Sequence, residues 1–517
     1  MSHQPIQVFI PMTGIGARFQ QAGYRTIKPL IPVQGKPIIH YVADLFPQQS
    51  PMHFICNQTH LEETALRDTL SAPSHRIIPA RPQKLGPVAA LKQAYEHIDD
   101  KQPIIVCYCD FYQQWDYQDF LQYVRDTDCD GAVVCYQGFH PHLRHAHNVY
   151  ASCQTDTQQR LTAIREKHSF TPNTQDCPQS SGLYYFKSGA LLKRYCDKLL
   201  AEGPTVQGEY YVSLAFAHMI EDQCDVRVYN KVPHFCQWGT PADLAEYLYW
   251  QQLMIAPRNN TSICATAQKI IPMAGAGKRF VEKGYAQPKP CILVDNHPMV
   301  AQANRDLPTA QHTFLISQQS HHNHLKKSAI DMHIPHSHLI TLKGLSSGQA
   351  TSALAAKPYL DPELDLIIGA CDNGMRYDGK ALAQRMKESD AIIFTFRNNP
   401  TVSPKPEHYS WVQVGDDQAT AKAVTLKQAI SEQPLHDHAL VGAFWFKKAQ
   451  YFIEATEKLQ AKGSPPLGEW YIDEVMNVCI QSGYQVNVFE IDYYIGWGTP
   501  DDLQTYTYWR TFFDRLS

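Results

Sequence analysis

Short apolar runs alternate with longer amphipathic stretches along the chain. Residues 8–11, 104–109 and 132–136 are apolar or β-branched runs that predict buried strands, and residues 88–99 predict a helix. Short buried strands separated by helices are typical of a mainly parallel sheet with helices on both faces. Ligands of such sheets bind beyond the carboxyl ends of the strands.

The same pattern occurs a second time, about 260 residues later. Residues 10–19 recur as residues 271–280, and later motifs keep this spacing as far as residues 238–241 and 497–500. Each copy has the size of one α/β domain, which is far longer than a solenoid repeat. The chain is therefore interpreted as a tandem duplication.

The duplication predicts the domain organisation. We expect an α/β protein with a first domain over residues 1–256 and a second over residues 268–517. Each should contain a mainly parallel, mixed sheet with helices on both faces. Residues 257–267 contain a turn-forming cluster and are predicted to be a linker.

The composition is that of a globular protein without surplus positive charge. Of the 517 residues, 44% are hydrophobic, 46 are Lys or Arg and 50 are Asp or Glu, so the net charge is −4. These values argue against general disorder and against a nucleic-acid partner. No apolar run reaches the roughly 18 residues needed to span a bilayer, and residues 1–12 lack the pattern of a secretory signal. The 14 cysteines form no spaced framework, so we expect a cytoplasmic protein with reduced thiols.

Glycines and positive charges follow the first strand of each copy. The residues are Gly14, Gly16, Arg18 and Lys28 in the first copy, and Gly275, Gly277, Arg279 and Lys289 in the second. Glycines allow the backbone to approach an anion closely, and arginine and lysine add positive charge. Neither copy has the third glycine of a dinucleotide-binding loop. A structural turn with nearby surface charges is the alternative interpretation.

With these motifs, nearly all of each copy resembles the sugar-phosphate nucleotidyltransferases, or nucleoside-diphosphate-sugar pyrophosphorylases, especially those of polysaccharide biosynthesis. The resemblance implies two tandem Rossmann-like nucleotidyltransferase domains. It also implies that the glycine loop, the arginine and the lysine of each copy hold the triphosphate of an incoming nucleotide. The substrates would be a nucleoside triphosphate, with a pyrimidine as the expected base, and a sugar or polyol phosphate.

Aspartates at the ends of two apolar runs predict metal sites. An ionised carboxylate at Asp110 or Asp372 is costly without a cation, and Mg²⁺ prefers carboxylates together with phosphate oxygens and water. The resemblance implies the same metal-binding role, although either aspartate could instead cap a helix. A second metal aspartate of the family is matched by Asp473 in the second copy, whereas the first copy has Ser213 there.

The resemblance also implies residues that bind the acceptor and the base. The predicted acceptor-binding residues are Glu166, Lys167, Glu209, Lys427 and Glu469, and the predicted base-binding glycines are Gly86 and Gly348. Gly86 and Gly348 could equally be plain helix starts. The second copy has Leu426 in place of Glu166, which suggests that the two copies take different acceptors.

Other motifs have simpler explanations. Trp-Gly-Thr-Pro at residues 238–241 and 497–500 fits a helix start with a threonine N-cap. Cys107 and Cys109 alternate along a strand and are expected to pack in a core. The histidines of two polar stretches are expected to be solvated surface: His140, His142, His145, His147, His321, His322 and His324.

Together, these features predict a tandem nucleotidyltransferase. It would transfer a nucleotidyl group from a nucleoside triphosphate to a sugar or polyol phosphate, with Mg²⁺, and release pyrophosphate during surface polysaccharide biosynthesis. One alternative is a glycosyltransferase of related fold, although neither copy has the usual Asp-x-Asp. The other is a nucleotide-binding regulatory protein with one inactive copy.

Overall fold

The protein divides into two compact units. The computed structural model describes residues 6–144, 150–203, 205–258, 266–321, 324–325, 333–402, 405–465 and 467–516. Unit 1 is Met1–Leu248 and unit 2 is Tyr249–Ser517, so the division falls inside the helix Pro241–Ile255. The domain limits at residues 256 and 268 stay a prediction, and residues 259–265 of the predicted linker lie outside the described residues.

Unit 1 is built on a mixed sheet. Its strands are Gln7–Met12 (β1), Pro32–Val33 (β2), Lys36–Pro37 (β3), Met52–Asn57 (β4), His75–Ala80 (β5), Ile104–Cys107 (β6), Phe111–Gln114 (β7), Gly131–Tyr136 (β8), Ala151–Thr155 (β9), Leu161–Glu166 (β10), Gln179–Phe186 (β11), Val226–Val232 (β12) and His234–Gln237 (β13). Its helices are Ala17–Gln21 (α1), Ile38–Ala43 (α2), Gln58–Glu63 (α3), Leu66–Thr69 (α4), Pro87–Gln93 (α5), Tyr117–Thr127 (α6), Gly189–Glu202 (α7), Val212–Glu221 (α8) and Pro241–Ile255 (α9), which runs past the unit boundary.

The sheet of unit 1 has the order β10-β9-β11-β6-β1-β4-β5, with β8 paired to β11 and β12 paired to β8. Strand β1 is parallel to β4 and β6, whereas β11 is antiparallel to β6 and β8. Strands β7 and β13 form a separate antiparallel pair. The sheet is therefore mixed, with a parallel half that contains β1.

Unit 2 repeats these elements. Its strands are Gln268–Pro272 (β14), Leu293–Val294 (β15), His297–Pro298 (β16), His312–Gln318 (β17), Ser337–Leu342 (β18), Leu366–Ile368 (β19), Asn373–Arg376 (β20), Ala391–Phe396 (β21), Trp411–Val414 (β22), Ala421–Thr425 (β23), His438–Phe446 (β24), Val486–Glu490 (β25) and Tyr493–Gly496 (β26). Its helices are Lys278–Glu282 (α10), Met299–Asp306 (α11), Gln349–Leu354 (α12), Gly379–Lys387 (α13), Ala449–Gln460 (α14), Ile472–Gln481 (α15) and Pro500–Asp514 (α16).

The strand order of unit 2 matches that of unit 1. The path β18-β17-β14-β19-β24-β21-β25 corresponds to β5-β4-β1-β6-β11-β8-β12, and β22 and β23 take the places of β9 and β10. Strands β20 and β26 again form a separate antiparallel pair. The predicted fold, two α/β units with mixed sheets, is confirmed.

Helices cover both faces of each sheet. In β1, Val8 and Ile10 belong to one buried core, which α2 completes, while Phe9 belongs to another core, which α5 completes. This alternation is what a strand buried on both faces requires. Unit 2 has the same arrangement, with Ile270 and Ile271 of β14 in different cores.

Three predicted elements are shorter than expected. The runs at residues 104–109 and 366–371 leave the sheet early, so β6 ends at Cys107 and β19 at Ile368. The chain turns there towards β7 and β20, and this turn places Asp110 and Asp372, the predicted metal ligands, between two sheets. The helix predicted over residues 88–99 ends at Gln93 and is followed by a 3-10 helix, Tyr95–His97.

The histidine prediction holds for His324, which is exposed, and was wrong for three other described histidines. His140, His142 and His321 are buried, because aromatic neighbours such as Tyr136 enclose the first two. His145, His147 and His322 lie outside the described residues. The cysteines that the structure describes have free thiols. In the described part of the chain, no helix is both long and apolar enough to cross a membrane.

Candidate active site

In each unit the glycine loop lies against the lysine that follows it. Gly16 and Gly277, the last residues before α1 and α10, have left-handed backbones with φ of 69° and 60°. A Cβ atom built on Gly16 would lie 3.9 Å from Cβ of Lys28, and one on Gly277 would lie 3.4 Å from Cβ of Lys289. The loop and the lysine therefore form one surface in both units.

The same lysine is paired with the predicted metal-site aspartate. Lys28 Nζ lies 2.7 Å from Asp110 Oδ2, and Lys289 Nζ forms the equivalent ion pair with Asp372. Burial alone would lower the pKa of Lys28, but the carboxylate of Asp110 outweighs burial and raises it. The pKa of Lys289 is raised in the same way. Each site thus presents a protonated lysine directly at the aspartate.

The Trp-Gly-Thr-Pro segments meet these aspartates. The backbone N–H of Trp238 donates to the carbonyl oxygen of Asp110 at 2.8 Å, and Trp497 makes the same bond to Asp372 at 2.9 Å. The sequence interpretation as a helix start is also confirmed, since the Thr240 hydroxyl accepts a hydrogen bond from the Asp243 backbone at the start of α9. The motif therefore both begins a helix and closes the site.

Glycine in that motif keeps space open at the carboxylate. A Cβ atom on Gly239 would lie 3.1 Å from Asp110 Oδ2 and 2.4 Å from the side-chain nitrogen of Gln237, Nε2. In unit 2, a Cβ atom on Gly498 would lie 3.2 Å from Asp372 Oδ2. Sequence reasoning missed Gly239 and Gly498 as site residues. Their repetition directly after a tryptophan in both copies was the available signal.

A second lysine lies at the end of β10 and of β23. Lys167 and Lys427 have left-handed backbones with φ of 53° and 48°. Lys167 Nζ lies 5.6 Å from the ring centre of Tyr211, and Lys427 Nζ donates to Tyr471 Oη at 3.0 Å. Both units therefore hold this lysine against a tyrosine that precedes a helix, α8 or α15.

Charges around Lys167 connect it to the glycine loop. Burial and, less strongly, the charge of Arg18 lower the pKa of Lys167, while the carboxylates of Glu209 and Glu166 oppose this. Arg18 is exposed, so its guanidinium is accessible to a ligand. The structure thus brings Arg18, Lys28 and Lys167 to the same side of unit 1.

Glu166 lies at the end of β10 beside helix α8. The hydroxyl of Ser213, in the first turn of α8, donates to its carboxylate. Burial raises the pKa of Glu166 to about 7, although this hydrogen bond and the charge of Lys167 favour the ionised form. Glu166 can therefore change its charge near neutral pH.

The sequence of unit 1 matches a known family. Residues 9–171 match the family model of the MobA-like NTP transferase domain. The matched segment lies within unit 1. The matched residues include the glycine loop, Lys28, Asp110 and Lys167. No curated protein is significantly similar to the chain in sequence.

Solved structures of similar shape each cover about half of the chain. A nucleoside-diphosphate-sugar pyrophosphorylase from Vibrio cholerae RC9 is 19% identical, with a TM-score of 0.38, and the match covers 46% of this chain and 98% of that one. The inositol-1-phosphate CTP transferase from T. maritima is 16% identical, with a TM-score of 0.37, and the match covers 48% of this chain and 96% of that one.

The aspartate sites of the two units fit a divalent cation that is shared with phosphates. Each offers one carboxylate, Asp110 or Asp372, and the glycine beside it leaves room at the carboxylate oxygen. Among the described residues, no group of three His, Cys, Asp or Glu side chains could hold a metal by itself. Mg²⁺ suits such a donor set, because it commonly binds one or two carboxylates, phosphate oxygens and water.

Asp473 has other neighbours. It is buried in the first turn of α15, where burial raises its pKa against the effects of a hydrogen bond with Ser410 and the charge of Lys427. Asp473 is therefore hydrogen-bonded to Ser410 and lies within the electrostatic influence of Lys427. Its role as a metal ligand stays a prediction.

Gly86 and Gly348 begin helices α5 and α12, as predicted. A Cβ atom on Gly86 would lie 2.9 Å from the backbone of Tyr210, and one on Gly348 would lie 2.4 Å from the backbone nitrogen of Trp470. Both glycines have positive φ, 91° and 120°. This close approach accounts for glycine at both positions and joins the helix start to the segments that contain Glu209 and Glu469. Base binding by the two glycines stays a prediction.

The loop before Gly86 contains a further difference between the units. Gln83 donates to Thr13 Oγ1 at 2.8 Å and to the Gly86 carbonyl at 2.9 Å, which joins this loop to the glycine loop. The corresponding residues of unit 2 are Leu345, which is exposed, and Ala274. Sequence reasoning did not single out this amide link.

Proposed function

We propose that each unit catalyses nucleotidyl transfer from a nucleoside triphosphate to a sugar or polyol phosphate. The observation that carries this proposal is the lysine–aspartate pair beside the glycine loop, present in both units. The family match of residues 9–171 supports the reaction class in unit 1. We further propose a pyrimidine nucleotide and a role in surface polysaccharide biosynthesis, as the resemblance of the sequence implies.

In the proposed reaction, a phosphate oxygen of the acceptor attacks the α-phosphorus of the nucleotide. A new P–O bond forms, the bond between the α-phosphorus and the bridging oxygen breaks, and pyrophosphate leaves with the electron pair. No protein nucleophile is required, because positioning and charge neutralisation supply the rate enhancement. Arg18 and Lys28 would hold the triphosphate in unit 1, and Lys167 would hold the acceptor phosphate.

Asp110 in unit 1 and Asp372 in unit 2 are the residues that we propose to hold Mg²⁺. The ion would supply positive charge to the phosphate oxygens as pyrophosphate leaves. The lysine paired with each aspartate would then be free to contact the triphosphate. Arg279, Lys289 and Lys427 would act in unit 2 as their counterparts act in unit 1.

A screen for pyrophosphate release tests the proposal. The full chain would be incubated with Mg²⁺, each of four nucleoside triphosphates and a panel of sugar and polyol phosphates. We expect release that requires both substrates and that is lost in the double variant Asp110→Asn/Asp372→Asn. Release of nucleoside diphosphate from a nucleotide sugar instead, or no turnover with any pair, would overturn the proposal.

A further inference from the structure

Beside the lysine at the end of β10, unit 1 places Glu209, whose counterpart in unit 2 is Glu469, and a second acidic side chain that the two units take from different elements. In unit 1 this side chain is Glu166, on the strand, and it accepts a hydrogen bond from Ser213 on helix α8. The corresponding positions of unit 2, 260 residues later, are Leu426 and Asp473. The carboxyl group has therefore moved from the strand to the helix.

The backbone of unit 2 holds Asp473 close to the position of Leu426. The side chain of Asn477 accepts from the backbone N–H of Val424 at 2.7 Å and donates to the carbonyl of Val424 at 2.8 Å, which fixes α15 on β23. Asp473 lies one helical turn before Asn477 on the same face of α15, and Leu426 lies two residues after Val424. The charge of Lys427 acts on Asp473, which agrees with this placement.

The local partners of the two carboxyls are exchanged as well. Asp473 is hydrogen-bonded to Ser410, the residue before β22. The matching residue of unit 1 is Tyr150, directly before β9, and its carbonyl accepts from the backbone N–H of Lys167 at 2.8 Å. A serine therefore supports the carboxyl in both units, but Ser213 does so from the helix and Ser410 from the strand side.

Burial makes both carboxyls costly to keep ionised. Burial raises the pKa of Glu166 and of Asp473. Acidic groups are rarely enclosed without a partner, and a hydrophobic residue of similar size would pack at lower cost. Position 426 shows that the fold accepts leucine directly after the strand, so the fold itself does not require a carboxyl there.

We propose that Asp473 takes the place of Glu166 as the carboxyl that accepts a hydrogen bond from an acceptor hydroxyl. Because Asp473 extends from the helix and not from the strand, unit 2 selects a different sugar or polyol phosphate. This inference rests on the proposed nucleotidyl transfer. In both units the lysine fixes the acceptor phosphate. The carboxyl then accepts a hydrogen bond from a hydroxyl of the acceptor. This carboxyl extends from the strand in unit 1 and from the helix in unit 2.

The test uses the full chain with unit 1 silenced by Asp110→Asn, so that turnover reports unit 2. Three variants are compared in this background: Asp473→Asn, the transplant Leu426→Glu/Asp473→Ser, and the control Asp416→Asn, which changes an exposed carboxylate of the same unit. The measurements are KM for the acceptor that unit 2 uses, KM for the nucleotide, the Mg²⁺ concentration that gives half-maximal activity, and the melting temperature.

We expect Asp473→Asn to raise the acceptor KM by about 10- to 100-fold, the usual effect of losing a hydrogen bond to a charged group. The nucleotide KM, the Mg²⁺ requirement and the melting temperature should change little, and the control should behave as the parent. The transplant should regain turnover with acceptors that the wild-type chain uses in unit 1. Binding of the panel phosphates, measured by thermal shift, should follow the acceptor KM.

Three outcomes would contradict the inference. An unchanged acceptor KM in Asp473→Asn would overturn it while leaving the proposed function intact. A raised Mg²⁺ requirement with an unchanged acceptor KM would assign Asp473 to the metal instead. If the wild-type chain releases no pyrophosphate, the proposed function fails. The inference is then tested separately by the thermal shift that the panel phosphates cause, and an equal loss of this shift in Asp473→Asn and in the control would overturn it.

Discussion

The two units agree around the nucleotide phosphates and differ where the acceptor would bind. The lysine–aspartate pair and the backbone bond from the Trp-Gly-Thr-Pro segment are the same in both. By contrast, Glu166 and Ser213 of unit 1 correspond to Leu426 and Asp473 of unit 2. Under the proposed function, the chain would have kept one transfer chemistry after duplication and changed the acceptor of the nucleotide.

A pair of stacked rings in each unit also keeps its packing while a polar group changes position. Tyr136 and Phe235 stack at 4.4 Å in unit 1, and Phe396 and Tyr494 stack at 4.3 Å in unit 2, with the same interplanar angle of 9°. The hydroxyl has thus moved from one ring to the other while the packing is unchanged. Exchanges that conserve volume are those that a core tolerates best.

The largest expected effect comes from the metal-site aspartates. Asp110→Asn should lower the turnover of one activity by on the order of 10²-fold or more, because a preorganised charge is lost at the reacting phosphates. Asp372→Asn should do the same to the other activity. Pyrophosphate release by each single variant checks this. Loss of every activity in either variant would show that the sites are coupled or that only one is active.

The next effect concerns nucleotide affinity. In a chain whose unit 2 carries Arg279→Ala/Lys289→Ala, the further changes Arg18→Ala and Lys28→Ala should weaken nucleotide binding by about 10²-fold, because charge-assisted contacts to phosphate are lost. Calorimetry with Mg²⁺ and nucleotide measures this.

A control for this experiment is Lys101→Ala, which removes an exposed lysine of unit 1. The Lys28–Asp110 pair is largely buried, with side chains 21% and 20% exposed, so the melting temperature of each variant is measured as well, to separate a loss of binding from a loss of stability. Unchanged affinity in the variants would remove Arg18 and Lys28 from the triphosphate site.

A third experiment compares the two glycines that begin α5 and α12. Gly86→Ala and Gly348→Ala should each destabilise their unit by about 1–3 kcal/mol, because the added Cβ meets backbone atoms at a positive φ. Gly348→Ala should be the more severe, since its closest contact is 2.4 Å rather than 2.9 Å. Denaturant unfolding measures both. Gly344→Ala is the control, because a Cβ there has no neighbour within 4 Å.

The repeat explains why much of the site could be predicted from sequence. Lys28 and Asp110 lie 82 residues apart, and Lys289 and Asp372 lie 83 residues apart. Because this spacing is nearly the same in both copies, the repeat identified the same two candidate residues in each. The repeat also marked Gly239, but its position against Asp110 could not be predicted, because the start of α9 already explains the local sequence. Likewise, the burial of His140 depends on packing against Tyr136, which a polar local sequence does not reveal.

The smallest expected effect is a pH dependence of the stability of unit 1, which arises from Glu166 at the end of β10. The pKa of Glu166 is raised to about 7 in the folded chain, so its contribution to stability is present below the ordinary glutamate pKa and is lost as pH rises through 7. Glu166→Gln should therefore match the wild type near pH 5 and exceed its melting temperature near pH 8. Glu62→Gln, an exposed control, should track the wild type at both values. Equal melting temperatures at pH 8 would contradict the assignment.

The most direct test of the central claim, one chemistry with two acceptors, is the acceptor profile of each unit within the full chain. Pyrophosphate release would be measured for Asp110→Asn and for Asp372→Asn against the same panel of sugar and polyol phosphates with the same nucleotide. We predict two different sets of accepted phosphates that together reproduce the wild-type set. The same set in both variants would contradict the account.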